Sequence, residues 1–180
     1  MPKTNRKTID VTLTLLGAVA AVVLLVAGFL GLYAYNFATG QVHDQLAAQK
    51  VYFPPAGSPG LDPAEFPGLQ QYAGQLVDNG PKAKAYADEF IAVHLEKVAG
   101  GQTYSEVSTA AMKDPTNTQL QQQKQTLFQG ETLRGLLLGT GYAYWTFGMI
   151  AGYAAVAAFV GAALMAVLVL LGMRQIKRAR

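Results

Sequence analysis

Two long stretches without a single charged residue lie near opposite ends of this chain. Val11 to Thr39 contains no Asp, Glu, Lys, Arg or His, and neither does Gly135 to Met173. A helix needs roughly 20 apolar residues to cross the hydrocarbon core of a bilayer. Because each stretch is longer than that, the sequence predicts an all-α membrane protein with two transmembrane helices that flank an extracytoplasmic helical domain.

The charges predict which side of the membrane each part occupies. We expect cytoplasmic tails at 1–10 and 174–180, transmembrane helices at 11–35 and 142–173, and the extracytoplasmic domain at 36–141. The tails carry seven bases and one acid, whereas the chain between them carries seven bases and ten acids. Lys and Arg beside a span stay on the cytoplasmic side, so both termini are predicted to be cytoplasmic. The basic excess follows from this topology and does not indicate nucleic-acid binding.

The length of the first apolar run argues against a cleaved signal peptide. The run exceeds the 7–15 residues typical of a cleaved signal, so an uncleaved anchor is predicted.

Aromatic residues suited to the headgroup level lie at the outer end of both spans, namely Tyr33, Tyr35, Phe37, Tyr142, Tyr144, Trp145 and Phe147. The chain has no cysteine, which excludes disulfides, thiol catalysis and Cys-based zinc sites.

Turn residues divide the first half of the outer segment. Gln41 to Lys50 is predicted to continue the first helix, and 54–67 is a Pro/Gly-rich irregular stretch that either packs or stays mobile. A helix is then predicted from the spacing of Leu69, Tyr72, Ala73, Leu76 and Val77.

The second half contains clearer helix signals. Pro81 to Ala99 has the pattern of an amphipathic helix, which Gly100-Gly101 ends. The capping pairs Thr103/Glu106 and Thr116/Gln119 predict the starts of two more helices. The second of these is predicted to run into the second span, with an interruption near Gly139–Gly141.

The sequence shows no catalytic motif. Only two histidines are present, His43 beside Asp44 and His94 in the amphipathic helix, and their spacing does not match a zinc site. We therefore predict no catalytic, cofactor-binding or metal-binding residue and no cofactor. The spans lack ionisable side chains, which argues against an ion or proton path.

Small residues recur along the second span, at Gly148, Gly152, Ala155, Ala158 and Ala162. Such residues allow close approach of helices in lipid. The face either packs on the first span, which has Gly17/Ala21 and Ala27/Gly31 pairs, or contacts another membrane subunit or a second copy.

Glu131, Arg134 and Trp145 are predicted to lie at the outer membrane surface. The i, i+3 spacing of Glu131 and Arg134 suits an ordinary ion pair. A docking point for a partner or a lipid headgroup is the alternative.

Four segments, 45–55, 72–80, 84–108 and 126–148, resemble small two-span membrane proteins of actinobacteria. The resemblance implies a bacterial host, and it brings no activity and no catalytic residue. Together with the two spans, it predicts a location in the bacterial cytoplasmic membrane. The leading hypothesis is a non-enzymatic accessory or scaffold subunit of a larger membrane complex. The alternative is an extracytoplasmic ligand-binding or sensing module that signals through a partner, and an enzyme ranks third.

Overall fold

The computed structural model describes residues 3–178, with side chains from Arg6 onward. Arg180 and the side chain of Lys3, two of the bases in the predicted tails, lie outside that range. Within it the protein is all-helical and has two long apolar helices, which confirms that part of the predicted fold class.

Residues 3–178 contain six α-helices and four 3₁₀ or π-helical turns. The helices are α1 (Lys3–Ala48), α2 (Gly80–Ala85), α3 (Ala92–Ala99), α4 (Tyr104–Lys113), α5 (Thr118–Leu136) and α6 (Tyr144–Arg178). The turns are the 3₁₀ segments Pro59–Leu61 and Pro67–Tyr72 and the π-helical turns Tyr86–Ile91 and Leu137–Ala143.

These elements form two compact units. Unit 1 comprises residues 1–37 and 148–180, and unit 2 comprises residues 38–147.

In unit 1, α1 packs on α6 through small residues. A side chain added at Gly28 would place its Cβ 2.7 Å from the Phe159 ring, and one at Gly31 would lie 3.0 Å from the Ala151 carbonyl oxygen. One row of buried or half-buried α1 residues recurs every three or four positions, at Thr14, Gly17, Ala21, Leu24, Gly28, Gly31 and Tyr35. This spacing averages 3.5 residues, which is the period of a coiled-coil seam.

Unit 2 is organised around a cluster of aromatic rings. Phe53 stacks on Tyr72 at 5.3 Å and meets Tyr86 edge-on at 5.2 Å, and Phe66 lies 5.6 Å from Phe90. Burial in this cluster raises the pKa of the Tyr86 phenol. Such ring pairs stabilise the core slightly more than the burial of their apolar area alone would.

The Pro/Gly-rich stretch 54–67 is part of that core. Leu61 is fully buried and Phe66 is 4 % exposed. Proline at the start of the Pro59–Leu61 turn supplies the backbone φ that the turn requires. The stretch therefore packs as a structured cap on unit 2.

The helix predicted over Leu69 to Val77 is wrong. After the short turn Pro67–Tyr72 the chain becomes extended, and the Val77 N–H donates to the Val51 carbonyl at 2.8 Å. The Phe53 N–H likewise donates to the Gln75 carbonyl at 2.9 Å. Hydrogen bonds to backbone groups distant in sequence have replaced the local hydrogen bonds that a helix would make. Gly74 adopts the left-handed conformation at φ +70° that the turn before this pairing requires.

The other boundaries lie close to their local signals. Asn79 caps α2 by accepting from the Lys82 N–H at 3.0 Å, and Gly100 ends α3 in the left-handed conformation. The cap of α5 is Asn117, not the predicted Thr116, because the Asn117 side chain accepts from the Leu120 N–H at 3.1 Å. Thr116 bonds the Asp114 carboxylate instead.

Candidate functional site

A concave surface of unit 2 lies between α3, the start of α4, and α5. We call it the α3–α5 groove. It has a volume of about 440 Å³ and is lined by Ala92, Leu95, Glu96, Gly101, Gln102, Thr103, Tyr104, Ser105, Leu127 and Glu131. Its floor is apolar, since Leu95 and Leu127 belong to the buried core. A ligand in this groove would therefore contact both apolar and polar groups.

Three glycines make the groove possible. Gly100 and Gly101 both adopt positive φ and turn the chain sharply between α3 and α4. Gly130 lets α5 approach α3, because a side chain there would overlap Leu95. The groove is thus a product of one tight turn and one close helix contact.

A capping box holds one end of the groove. The Thr103 N–H donates to Glu106 Oε2 at 2.7 Å, and the Thr103 hydroxyl accepts from the Glu106 N–H at 3.3 Å. The bond from the Thr103 backbone, followed by that from its hydroxyl, lowers the pKa of the Glu106 carboxyl. The hydrogen bonds of Glu106 therefore hold the first turn of α4.

The two carboxylates of the groove differ in their partners. Glu131 binds the Arg134 guanidinium at 2.9 Å. Glu96 has no ion-pair partner among the described side chains, and the neighbouring Lys97 pairs with Glu65 instead. Glu96 is the acid of this groove that remains available to a cationic group.

Tyr104 lines the groove, and its ring lies beside the exposed ring of Phe128, which is adjacent to the lining residues. Tyr104 is 36 % exposed and Phe128 is 53 % exposed, with ring centroids 5.9 Å apart. A pair of exposed rings beside a carboxylate suits a ligand that is apolar and carries a positive charge.

Arg134 contacts three groups within unit 2 and is only 25 % exposed. Its Nε donates to the Ala87 carbonyl at 3.0 Å, and its terminal nitrogens approach Glu131 and Asp88. Asp88 also binds Lys84 at 2.5 Å, and this bond raises the pKa of the Lys84 ammonium. These contacts account for the polar groups of Arg134 without a docked partner or lipid.

Trp145 packs inside unit 2 as well. A side chain added at Gly80 would place its Cβ 2.5 Å from the Trp145 side chain, and the indole lies against the core. The predicted contact of Glu131, Arg134 and Trp145 with a membrane surface stays a prediction.

The histidines occupy unrelated positions. His43 Nδ1 lies 3.1 Å from the Asp78 carbonyl oxygen, and His94 Nδ1 lies 2.8 Å from that of Phe90. His94 also stacks on Phe66. Among the described residues no three His, Asp or Glu side chains come together in a way that would hold a metal ion.

The small residues predicted on α6 face the interior of unit 1. Gly148, Ala155 and Ala162 are buried, and Ala158 is half-buried. Gly152 lies against Tyr35 of α1, whose ring carbon would be 2.9 Å from an added Cβ. Within the described chain, intramolecular packing occupies this face.

Neither the α3–α5 groove nor the seam of α1 was predicted from the sequence. The 3.5-residue spacing from Thr14 to Tyr35 is visible in the sequence and could have identified the seam. The groove has no such signal, because it depends on three helices meeting.

Comparison with protein-family models, curated proteins and solved structures finds no match to this chain.

Proposed function

We propose that this chain is a non-enzymatic accessory subunit of a larger complex in the bacterial cytoplasmic membrane. In this proposal α1 and α6 cross the membrane, both termini are cytoplasmic, and unit 2 lies outside. Unit 2 then binds a segment of the partner protein in the α3–α5 groove. The observation that carries the binding step is that the groove is lined both by Tyr104, which pairs with the exposed ring of Phe128, and by Glu96, an acid without an ion-pair partner among the described side chains.

The exposure of the long helices supports the membrane assignment. The helical runs Arg6–Ala48 and Thr118–Arg178 each contain a window long and apolar enough to cross a bilayer. Only 6 % and 11 % of these windows is buried within the protein. A core helix of a water-soluble protein would be mostly buried, so a surrounding lipid phase gives these side chains a suitable environment.

The packing of unit 1 supports retention of α1 as an anchor. Ala155 of α6 is 2 % exposed, and it lies against Gly31 of α1. Removal of α1 by a signal peptidase would uncover the buried small-residue face of α6. An uncleaved α1 keeps that face covered.

The chemistry of the groove favours a basic and apolar partner segment. Aromatic anchors contribute much of the binding energy at protein interfaces, and charge complementarity contributes specificity. A Lys or Arg of the partner would pair with Glu96, and neighbouring apolar side chains would cover Tyr104 and Phe128.

A photo-cross-linking residue placed at Phe128 in native membranes tests this binding step. We expect one cross-linked protein of defined mass in near-stoichiometric yield. Tyr52, which is 56 % exposed and lies outside the groove, provides the matched position and should give no such product.

Charge reversal makes the test specific. Glu96→Lys should abolish the product from position 128, whereas Asp44→Lys, an equal change on the exposed surface of α1, should leave it intact. Equal cross-linking from positions 52 and 128, or no effect of Glu96→Lys, would refute docking in the groove.

The groove volume supports a second candidate function, the sensing of a small cation. About 440 Å³ is enough for a small ligand, and Gln102 and Ser105 add polar groups beside Glu96. A ligand that binds only the folded protein raises its melting temperature. We expect a small amine to stabilise the purified protein but not its Glu96→Lys variant if the sensing function is correct.

A further inference from the structure

A second groove lies within unit 1, between the first turns of α1 and the last turns of α6. Its volume is about 290 Å³, and Leu13, Met165 and Leu168 contribute apolar walls. Gly17 and Gly172 also line it and let the two helices approach closely, because a side chain at Gly172 would overlap Thr14 and one at Gly17 would place its Cβ 3.1 Å from Val169. We call it the unit 1 groove.

The groove has the length of one acyl chain in a membrane leaflet. Its α6 wall runs from Met165 to Gln175. At the helical rise this wall is about 15 Å long. That is about half the thickness of the hydrocarbon core of a bilayer.

The end of the unit 1 groove is polar. The Gln175 side-chain amide donates to Asp10 Oδ2 at 3.4 Å, and the Thr14 hydroxyl donates to the Asp10 carbonyl at 2.8 Å. Asp10 is the single acid in the two predicted tails. Asp10 accepts both of these hydrogen bonds within the groove.

A basic cavity of about 340 Å³ adjoins this polar end. Leu171, Arg174, Gln175 and Arg178 line it, so the two cavities share Gln175. Arg6, Lys7, Arg174, Lys177 and Arg178 are all exposed at these helix ends and have no ion-pair partner among the described side chains. With Asp10 the described side chains here have a net charge of +4. Arginine suits a phosphate because its planar guanidinium can donate two parallel hydrogen bonds.

We propose that the unit 1 groove and the adjoining basic cavity form one binding site for an anionic phospholipid. An acyl chain lies against Leu13, Met165 and Leu168, and the phosphate binds Arg174 and Arg178. This inference rests on the proposed crossing of the membrane by α1 and α6, since the site would then face the cytoplasmic leaflet. Basic residues at the cytoplasmic end of a membrane span attract the anionic lipids of that leaflet, and Arg174 and Arg178 both lie at the end of α6.

The test is a titration of the protein, purified in a neutral detergent, with phosphatidylglycerol, with bound lipid counted by native mass spectrometry. We expect one tightly retained molecule and no retention of phosphatidylcholine. Arg174→Gln/Arg178→Gln should weaken retention roughly 30-fold, since each base near an anionic lipid contributes about fivefold. Lys7→Gln/Lys177→Gln removes the same charge from residues that do not line either cavity, and it should retain the lipid.

Three outcomes would overturn the site. These are equal loss in both double variants, equal retention of phosphatidylcholine, and displacement of the lipid by inorganic phosphate alone. Carbonate extraction of the source membranes is performed first. Release of the protein at that step contradicts the membrane assignment itself, whereas an integrated protein that fails the lipid titration contradicts only this inference.

Discussion

At the scale of single residues, Arg134 connects distant parts of unit 2. Its guanidinium contacts the Ala87 carbonyl, Asp88 and Glu131, and so ties α5 to the π-helical turn Tyr86–Ile91. A π-helical turn displaces backbone groups from the regular helical ladder. The Ala87 carbonyl therefore accepts two hydrogen bonds, one from the Ala92 N–H of its own helical segment and one from Arg134.

Replacing Arg134 tests this role. Arg134→Met should lower the free energy of unfolding of unit 2 by about 1–2 kcal/mol, since charged hydrogen bonds to a half-buried group are lost. Lys113→Met, the same change at an exposed base of α4, should have little effect. Thermal unfolding followed by circular dichroism measures both, and equal stabilities would show that the Arg134 contacts add nothing.

The capping box makes a pH-dependent contribution to stability. Bonds from Thr103 lower the pKa of Glu106 in the folded state below its ordinary value of 4.5. The contribution is therefore complete above pH 4.5 and is lost as the pH falls through the lower, folded-state pKa.

Glu106→Gln should remove this pH dependence while preserving the cap, because glutamine also serves at this position. We expect the stability difference between wild type and variant to shrink as the pH is lowered below 4.5. Glu96→Gln is the control, since Glu96 has no ion-pair partner among the described side chains. Unfolding midpoints across the acid range give the measurement, and a constant difference for Glu106→Gln would be the contrary result.

At the scale of elements, the register of α1 on α6 determines which small residues matter. Gly31 and Ala27 form one small-residue pair in the sequence, yet only Gly31 faces α6. Ala27 is exposed. An α-helix turns about 100° per residue, so two residues four positions apart do not point in the same direction. One of them can lie on a seam that repeats every 3.5 residues while the other lies beside it.

Gly31→Leu and Ala27→Leu should therefore behave differently. The first places atoms against the backbone of α6 and should cost about 1–3 kcal/mol of packing free energy. The second adds an apolar group on the exposed face and should be close to neutral. Spin labels at Val19→Cys and Val167→Cys, both exposed sites, report the separation of the two helices.

The label distances should broaden for Gly31→Leu and stay unchanged for Ala27→Leu. The absence of native cysteine allows these labels without background. The same distance distribution in both variants would contradict the α1–α6 register.

At the scale of the whole molecule, the distribution of charge and apolar area supports one arrangement in the membrane. The two helix ends of unit 1 are basic, and the chain between the uncharged stretches is acidic. Only 6 % and 11 % of the apolar windows of the two long helices is buried within the protein. A bilayer around unit 1 would accommodate these features together.

Cysteine accessibility tests that arrangement. Gln102→Cys is at an exposed site of unit 2, and Lys177→Cys is at an exposed site near the end of α6. A membrane-impermeant maleimide should label the first in intact spheroplasts and the second only after permeabilisation. Labelling of both before permeabilisation would contradict cytoplasmic termini.

Local signals in the sequence were sufficient to predict several features of the fold. The two long apolar helices follow from uncharged stretches that exceed a membrane thickness. The Gly100 terminus and the Thr103/Glu106 box depend on groups within four residues of each other, so their chemistry is visible in a short window.

Contacts between segments distant in sequence determine the features that the local signals did not predict. Pairing with Val51 and Phe53 made residues 75–77 extended, and the register of α1 turned Gly31 inward while leaving Ala27 exposed. The groove and the unpaired state of Glu96 likewise depend on where three helices meet. Such contacts join residues tens of positions apart, and the free energy of packing them is a property of the assembled core that no short window contains.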